Sequence, residues 1–313
     1  MWLLWWILGS MFSSEDETLH LLSGKAQGTT FSIQYLWKDS MVSQKEIDSI
    51  FDVIDASLSL YKQGSLISIF NRDGHVMMDL HMQRVMRAAL EVYTKSGGRF
   101  DVTVRRLSLL WKEPQQPPEK ALREARDLTG SHFLRIAGDS LVAMRKGLQI
   151  DCNGIAQGYT VDVLVELLRE KGIVHLMVEL GGEIRTLGRG PGGREWRIGL
   201  ESPIGGIGNY YPVERVIALQ GEAVTTSANY RQPRHIIDPL RGKPVGNGMV
   251  SVTVIARDAM TADAWDNAFY VMGWKDALEY IKQDTSLAVY MVYQDKRGRY
   301  RDTSSPRFTS YLR

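Results

Sequence analysis

The chain has 313 residues, 44% of them hydrophobic and 24% charged, enough length and apolar content for one large domain or two closely joined lobes. Lysines and arginines number 38 against 36 acids, a near balance that argues against electrostatic steering toward nucleic acid. Cys152 is the one cysteine, so an internal disulfide is excluded and cysteine usage says nothing about the redox compartment.

Residues 1–12 read MWLLWWILGSMF and are followed by Glu15, Asp16 and Glu17. The apolar run is too short to span a bilayer, lacks a preceding Lys or Arg, and has no lipobox cysteine after it. Its length still suits a signal-peptide core. Residues 1–20 are therefore read as an export signal or membrane-proximal anchor, with a buried N-terminal segment as the alternative, and residues 21–313 as one domain.

A strand is expected over 21–37, where Thr30, Phe31, Ser32, Ile33, Gln34 and Tyr35 alternate. A helix follows over 43–58: Ile47, Ile50, Phe51, Ile54 and Leu58 share a side, and Ser43 with Glu46 makes a capping box. Residues 61–71 read as a polar loop, 81–96 as a helix ended by Gly97 and Gly98, and 100–104 as an extended or turn segment. The proline-bearing stretch 113–120 reads as a linker, with a helix over 118–128 and short strands near 133–136 and 140–144. From Ile155 to Leu168 apolar residues recur at three- and four-residue steps, giving a helix that opens on Asp151-Cys152-Asn153-Gly154 and stops near Gly172. Strands are expected at 176–180, 184–187, 196–200, 213–219, 223–226, 249–255 and 286–293, and helices at 261–272 and 275–282. The basic stretch 296–301 reads as solvated. Strands and helices mix without strict alternation, so the fold class is α+β, a mixed α/β architecture.

Four segments carry chemistry. The turn at Asp151 leaves free N–H groups and the positive dipole end at a helix entrance, a place for phosphate, although such turns also arise for capping alone. Cys152 there is conceivable as a nucleophile but better suited to be a small buried hydrophobe. Gly97 to Val104 brings backbone that can approach a ligand closely, with Phe100 to stack on a ring and Asp101 to accept from one; a helix end leading into a strand explains the same residues. Thr225, Thr226 and Ser227 with His235 suit phosphate binding and proton transfer. On a helix, Asp263, Asp266 and Asn267 lie on one face and make a hard-cation site, Mg2+ if phosphates complete an octahedron. Acids in a first helical turn also simply answer the macrodipole.

Gly28-Thr29, Leu60-Tyr61 with Ser65 and Asn71, GGRFDVTV, IDCNGIAQGYTVD, VELGGEI, TTSANY, HIIDP and ADAWDNAFYVMG, taken together and in this order, resemble the flavin transferase (ApbE) family from about Gly24 to Val292. The resemblance implies a T-fold-like architecture and an exported or cell-envelope enzyme, periplasmic or anchored at the inner membrane. It implies FAD as substrate and Mg2+ as cofactor, with FMN passed to a Thr or Ser hydroxyl of an acceptor flavoprotein and AMP released. Carried over by position, Gln27, Tyr61, Arg99, Phe100, Asp101, Asp151, Gln157, His235 and Ile236 would line the FAD site. The Gly154 carbonyl with Asp263, Asp266 and Asn267 would hold the cation; His235 is the candidate proton acceptor, and Asp263 is counted with it as catalytic. The chain departs from the family at Gln157, usually Lys, at Asn267, often Thr, and at Cys152-Asn153, commonly Leu-Gly. Gln157 removes a positive charge, which keeps two alternatives open: an FAD pyrophosphatase yielding FMN and AMP, and a non-catalytic FAD-binding protein.

Overall fold

The composition of the strand Met249–Ala256, apolar on both faces, reflects a main sheet covered on both sides at its centre. The computed structural model describes residues 17–113, 115–204, 212–229 and 234–313. The apolar leader at residues 1–16 lies outside them, and residues 18–20 are already strand. No helix among the described residues is long and apolar enough to cross a membrane.

β1 (Thr18–Ala26) and β2 (Thr29–Trp37) form a hairpin where one strand was expected. Gln27 and Gly28, both with positive φ, make its two-residue turn. α1 (Gln44–Leu58) starts on the Ser43–Glu46 capping box read from the sequence. α2 (Leu66–Asp73) replaces the expected loop. Ser65 caps it through the Ser68 N–H, and Ile67 and Phe70 bury its inner face. β3 (His75–Met77), α3 (Leu80–Lys95), the unanticipated α4 (Arg105–Lys112), α5 (Glu119–Asp127), β4 (Leu134–Ala137) and β5 (Ser140–Ala143) complete the first half, with a small sheet in the order β3-β5-β4.

α6 (Asn153–Glu170) leads into β6 (Leu176–Leu180), β7 (Glu183–Leu187), β8 (Trp196–Glu201), β9 (Val213–Leu219) and β10 (Ala223–Ala228). The two-residue β11 (Ile237–Asp238) and β12 (Lys243–Pro244) pair with each other, and β13 (Met249–Ala256), α7 (Ala259–Met272), α8 (Trp274–Gln283), β14 (Ala288–Gln294), β15 (Tyr300–Ser304) and α9 (Pro306–Thr309) follow. β15 takes up part of the basic stretch expected to be solvated. Arg299 and Arg301 pair with Asp295 there, on an edge strand kept charged.

The main sheet runs β1-β2-β6-β7-β10-β13-β14-β15, antiparallel at every pair. On one face Val161, Leu164, Val165 and Leu168 of α6 pack against Phe31, Ile33, Val178 and Leu180. On the other, the β8–β9 hairpin and α9 cover Val224, Ile255, Ala288 and Tyr290. A strand buried on both sides loses its alternation, and β13, MVSVTVIA, is accordingly buried along its whole length. α7 is buried nearly all round among Ala262, Trp265, Ala268 and Phe269. Two carboxylates therefore sit inside an apolar core on the helix beside α6. The largest core cluster runs from Phe70 and Leu141 of the first half to Val252 and Phe269 of the second, so the two halves are closely joined.

Candidate flavin and cation site

Glycine lets α6 and α7 meet. A Cβ at Gly158 would lie 2.3 Å from the Ala259 carbonyl oxygen and 2.8 Å from Asp263 Cβ, a contact no side chain permits. At this contact the Gly158 N–H donates to Asp263 Oδ2 at 3.0 Å. A regular helix directs that N–H to the carbonyl four residues back, which is Gly154. Gly154 is the non-helical residue of α6, with φ −88° and ψ 21°. Gly154 thus departs from helical geometry at the turn whose usual donor, the Gly158 N–H, reaches Asp263. A Cβ on Gly154 would lie 3.0 Å from Asn267 Nδ2 and 3.5 Å from Phe100 Cε2, so the turn, the Phe100 ring and the α7 amide come together.

The carboxylates on α7 are part-satisfied. Asp266 Oδ1 accepts from Ser227 Oγ at 2.9 Å and from Asn267 Nδ2 at 3.0 Å. Asn267 Nδ2 also donates to the Asp263 carbonyl at 3.0 Å, which leaves the amide Oδ1 as its open donor atom toward a ligand. Among the described residues no lysine or arginine pairs with Asp263 or Asp266. Burial pushes both carboxyls well above the usual range, and the charge of Glu183 pushes the same way on each. Glu183 is itself pushed up to about 7 by burial, with Glu179 adding to it.

Asp162 orients this helix. Its oxygens accept from the Ala259 and Met260 N–H groups at 2.9 Å, capping α7, and Oδ1 accepts from Arg185 Nη1 at 2.9 Å. Burial raises its carboxyl from 3.8 to about 6 in spite of the arginine.

The other expected residues divide. Asp151 shares a cleft of about 70 Å³ with Tyr61, Arg105, Lys112 and Asn153. Burial raises its carboxyl, opposed by the Asn153 N–H and the charges of Arg105 and Lys112. The Asp151 N–H donates to the Val102 carbonyl at 2.7 Å, which ties the turn to the Phe100 segment. Tyr61 is 87% exposed. Gln27 reaches Thr160, one turn beyond Gln157, at 3.2 Å, and Gln157 Nε2 lies 3.3 Å from where a Cβ on Gly181 would be. Asp101 is committed elsewhere: Oδ1 accepts from the Thr103 N–H and hydroxyl and from Ser131 Oγ, and Oδ2 from the Ser131 N–H. Arg99 lines a separate cavity of about 350 Å³ with Asp238, Arg241 and Lys243. Ile236 is buried in the same core cluster as Phe100, and His235 beside it is exposed. Residues 230–233, which hold Tyr230 of the TTSANY motif, lie outside the described residues. Cys152 is buried with its thiol pushed up by burial, which removes it as a nucleophile. Sequence reasoning missed Glu183 and Asp162; the signal for each is a lone acid on an otherwise inward-facing position.

Among the described residues no three His, Cys, Asp or Glu side chains converge to enclose a metal ion. Mg2+ does not require such a cage, because it takes one or two carboxylates and completes its shell with phosphates and water. Two buried carboxylates, with no lysine or arginine partner among the described residues, beside the Asn267 amide and the Gly154 backbone offer an all-oxygen donor set that fits such an ion.

The model of the ApbE family matches residues 27–291. The chain is 32% identical to the FAD:protein FMN transferase of Vibrio cholerae serotype O1, over 95% of this chain and 93% of that protein. The structure of the flavin transferase ApbE from Vibrio cholerae superposes with a TM-score of 0.87 at 31% identity, covering 95% of this chain and 100% of that one. The apo form of the Pseudomonas stutzeri flavinyl transferase ApbE superposes at 0.86 with 27% identity, over 96% and 98% of the two chains. Fold and relatives agree: the chain belongs to the ApbE family.

Proposed function

We propose that this chain, a flavin transferase of the ApbE family, moves FMN from FAD onto a Thr or Ser hydroxyl of an acceptor flavoprotein and releases AMP, with Mg2+ as cofactor. The observation that carries the reading is the α6–α7 contact, where Asp263 and Asp266 are buried with no lysine or arginine partner among the described residues. Burying unpaired carboxylates is costly, and the cost is offset when a cation enters with its substrate.

Asp263, Asp266, the Asn267 amide oxygen and the Gly154 carbonyl would hold the ion. Bound there, Mg2+ would neutralise charge on the pyrophosphate as its bond breaks. The exposed Tyr61 offers a ring face for stacking, the buried Phe100 backs the turn at Gly154, and Asp151 accepts from a ribose or ring donor. Gln157 donates a hydrogen bond where a lysine would also bring charge. The acceptor oxygen bonds to the FMN phosphorus while the P–O bond to the AMP phosphate breaks, and AMP leaves with the bridging oxygen. His235 takes the proton of the incoming hydroxyl. The apolar leader supports an envelope location for the enzyme, with attachment through its N-terminus.

The test is incubation with FAD, Mg2+ and a Thr-containing acceptor domain. The reading expects covalent flavin on the acceptor and one AMP per flavin. AMP and FMN released with no labelled acceptor would replace transfer by pyrophosphate hydrolysis. FAD left intact in both cases would reduce the protein to a flavin binder, the alternative motivated by Gln157.

A further inference from the structure

We infer that Glu183 sets the affinity of this centre for its divalent cation, acting by its charge from the sheet beneath α7 and not as a direct ligand. The inference rests on the assignment of Asp263 and Asp266 proposed above. Glu183 opens β7, and strand alternation puts it on the face of Arg185, which reaches α6 at Asp162. Ile184 between them packs on the opposite face with Val224 and Ile255. The β7–β10 register pairs Ile184 with Val224, so one step further sets Glu183 opposite Thr225. Glu183 Oε2 is buried with no hydrogen-bond partner, while the Thr225 hydroxyl opposite it bears on Asp266. Glu183 is half-buried as a residue, and its Oε2 is fully buried.

A central strand does not bury an unsatisfied carboxylate beside two others without compensation. Direct ligation is not that compensation, since the three acids do not converge on one point. A small divalent cation keeps part of its hydration shell, and a carboxylate one layer out accepts from that shell while adding its charge to the site. Gln157 fits the same account. Its Nε2 and Glu183 Oε2 lie 3.3 Å and 3.2 Å from one point, the place of a Cβ on Gly181. A lysine at 157 would neutralise Glu183 from within and repel the ion. An amide leaves the negative field intact, so this chain takes up its cation before FAD arrives.

The experiment titrates Mn2+ into the purified full chain without FAD and reads free Mn2+ by electron paramagnetic resonance. Wild type should bind one Mn2+. Glu183→Gln should bind it on the order of tenfold more weakly or worse, and Gln157→Lys should weaken it similarly. Metal-free Glu183→Gln should melt at or above the wild-type temperature, whereas loss of a merely structural residue would lower it. Unchanged Mn2+ affinity in Glu183→Gln, alongside lost binding in Asp263→Asn, overturns the role of Glu183 and leaves the site assignment standing. Equal binding by Asp263→Asn and wild type overturns the assignment itself. Should Glu183→Gln fail to fold, Gln157→Lys decides alone, and unchanged affinity there counts against the inference, as does a wild type that binds no Mn2+ without FAD.

Discussion

Asp101 and Asp263 are both buried, and burial raises the carboxyl of each. They differ in what surrounds them. Asp101 accepts four hydrogen bonds from Thr103 and Ser131 and holds two loops together. Among the described residues Asp263 accepts one, from Gly158, and faces the charges of Glu183 and Asp266 with no lysine or arginine paired to it. A buried acid is therefore not by itself a sign of function. The informative feature is the hydrogen-bonding capacity that the fold leaves unmet.

This contrast can be broken in order of effect. Asp263→Asn should lower Mg2+-dependent AMP release by roughly a thousandfold or more without lowering the metal-free melting temperature, because a repelling charge is removed. Retained turnover would erase the distinction from Asp101. Gly158→Ala drives a methyl into the Ala259 carbonyl, so it should cost about 2–4 kcal/mol in urea unfolding and most of the turnover, by moving Asp263. Wild-type behaviour would mean that the close α6–α7 approach is dispensable.

Asp101→Ala sharpens the other side. It should cost about 2–4 kcal/mol in the same unfolding assay, with turnover per folded molecule within about threefold of wild type. A stable but inactive variant would move Asp101 into the site. Asp162 lies between the two cases, satisfied yet raised from 3.8 to about 6. A raised acid favours the fold in its protonated form. Its contribution is complete below pH 3.8 and is lost as the pH climbs through about 6. Asp162→Asn should flatten that part of the stability profile by about 2–3 kcal/mol, and an unaltered slope between wild type and variant would show that Asp162 does not titrate there.

Much of this was legible in the sequence where a local pattern carried it. The capping box of α1, the apolar stripe of α6 and the i, i+3, i+4 set on α7 are each complete within one element. The reading failed where the deciding contact is distant or the element is short. α2 has only Ile67 and Phe70 as buried apolar anchors, and Ser65 looked like a loop residue because its capping role depends on the turn that follows. The Gln27–Gly28 turn was missed because Gln is an unusual partner for φ above zero. The structural partners of Asp101 were not legible either, because Ser131 lies thirty residues away. The break in the helix at Gly154 gains its meaning only once Gly158 is seen to donate to α7. Glu183 carries no motif of its own, and its meaning comes from the strand register that faces it toward Asp263 and Asp266.

The most direct test is a crystal of the protein grown with FAD and Mn2+, with data collected for anomalous scattering by manganese. The account predicts one peak bounded by Asp263, Asp266, Asn267 and the Gly154 carbonyl, touching the FAD pyrophosphate. FAD bound with no peak there, or lying in the Arg99–Arg241 cavity, would contradict it.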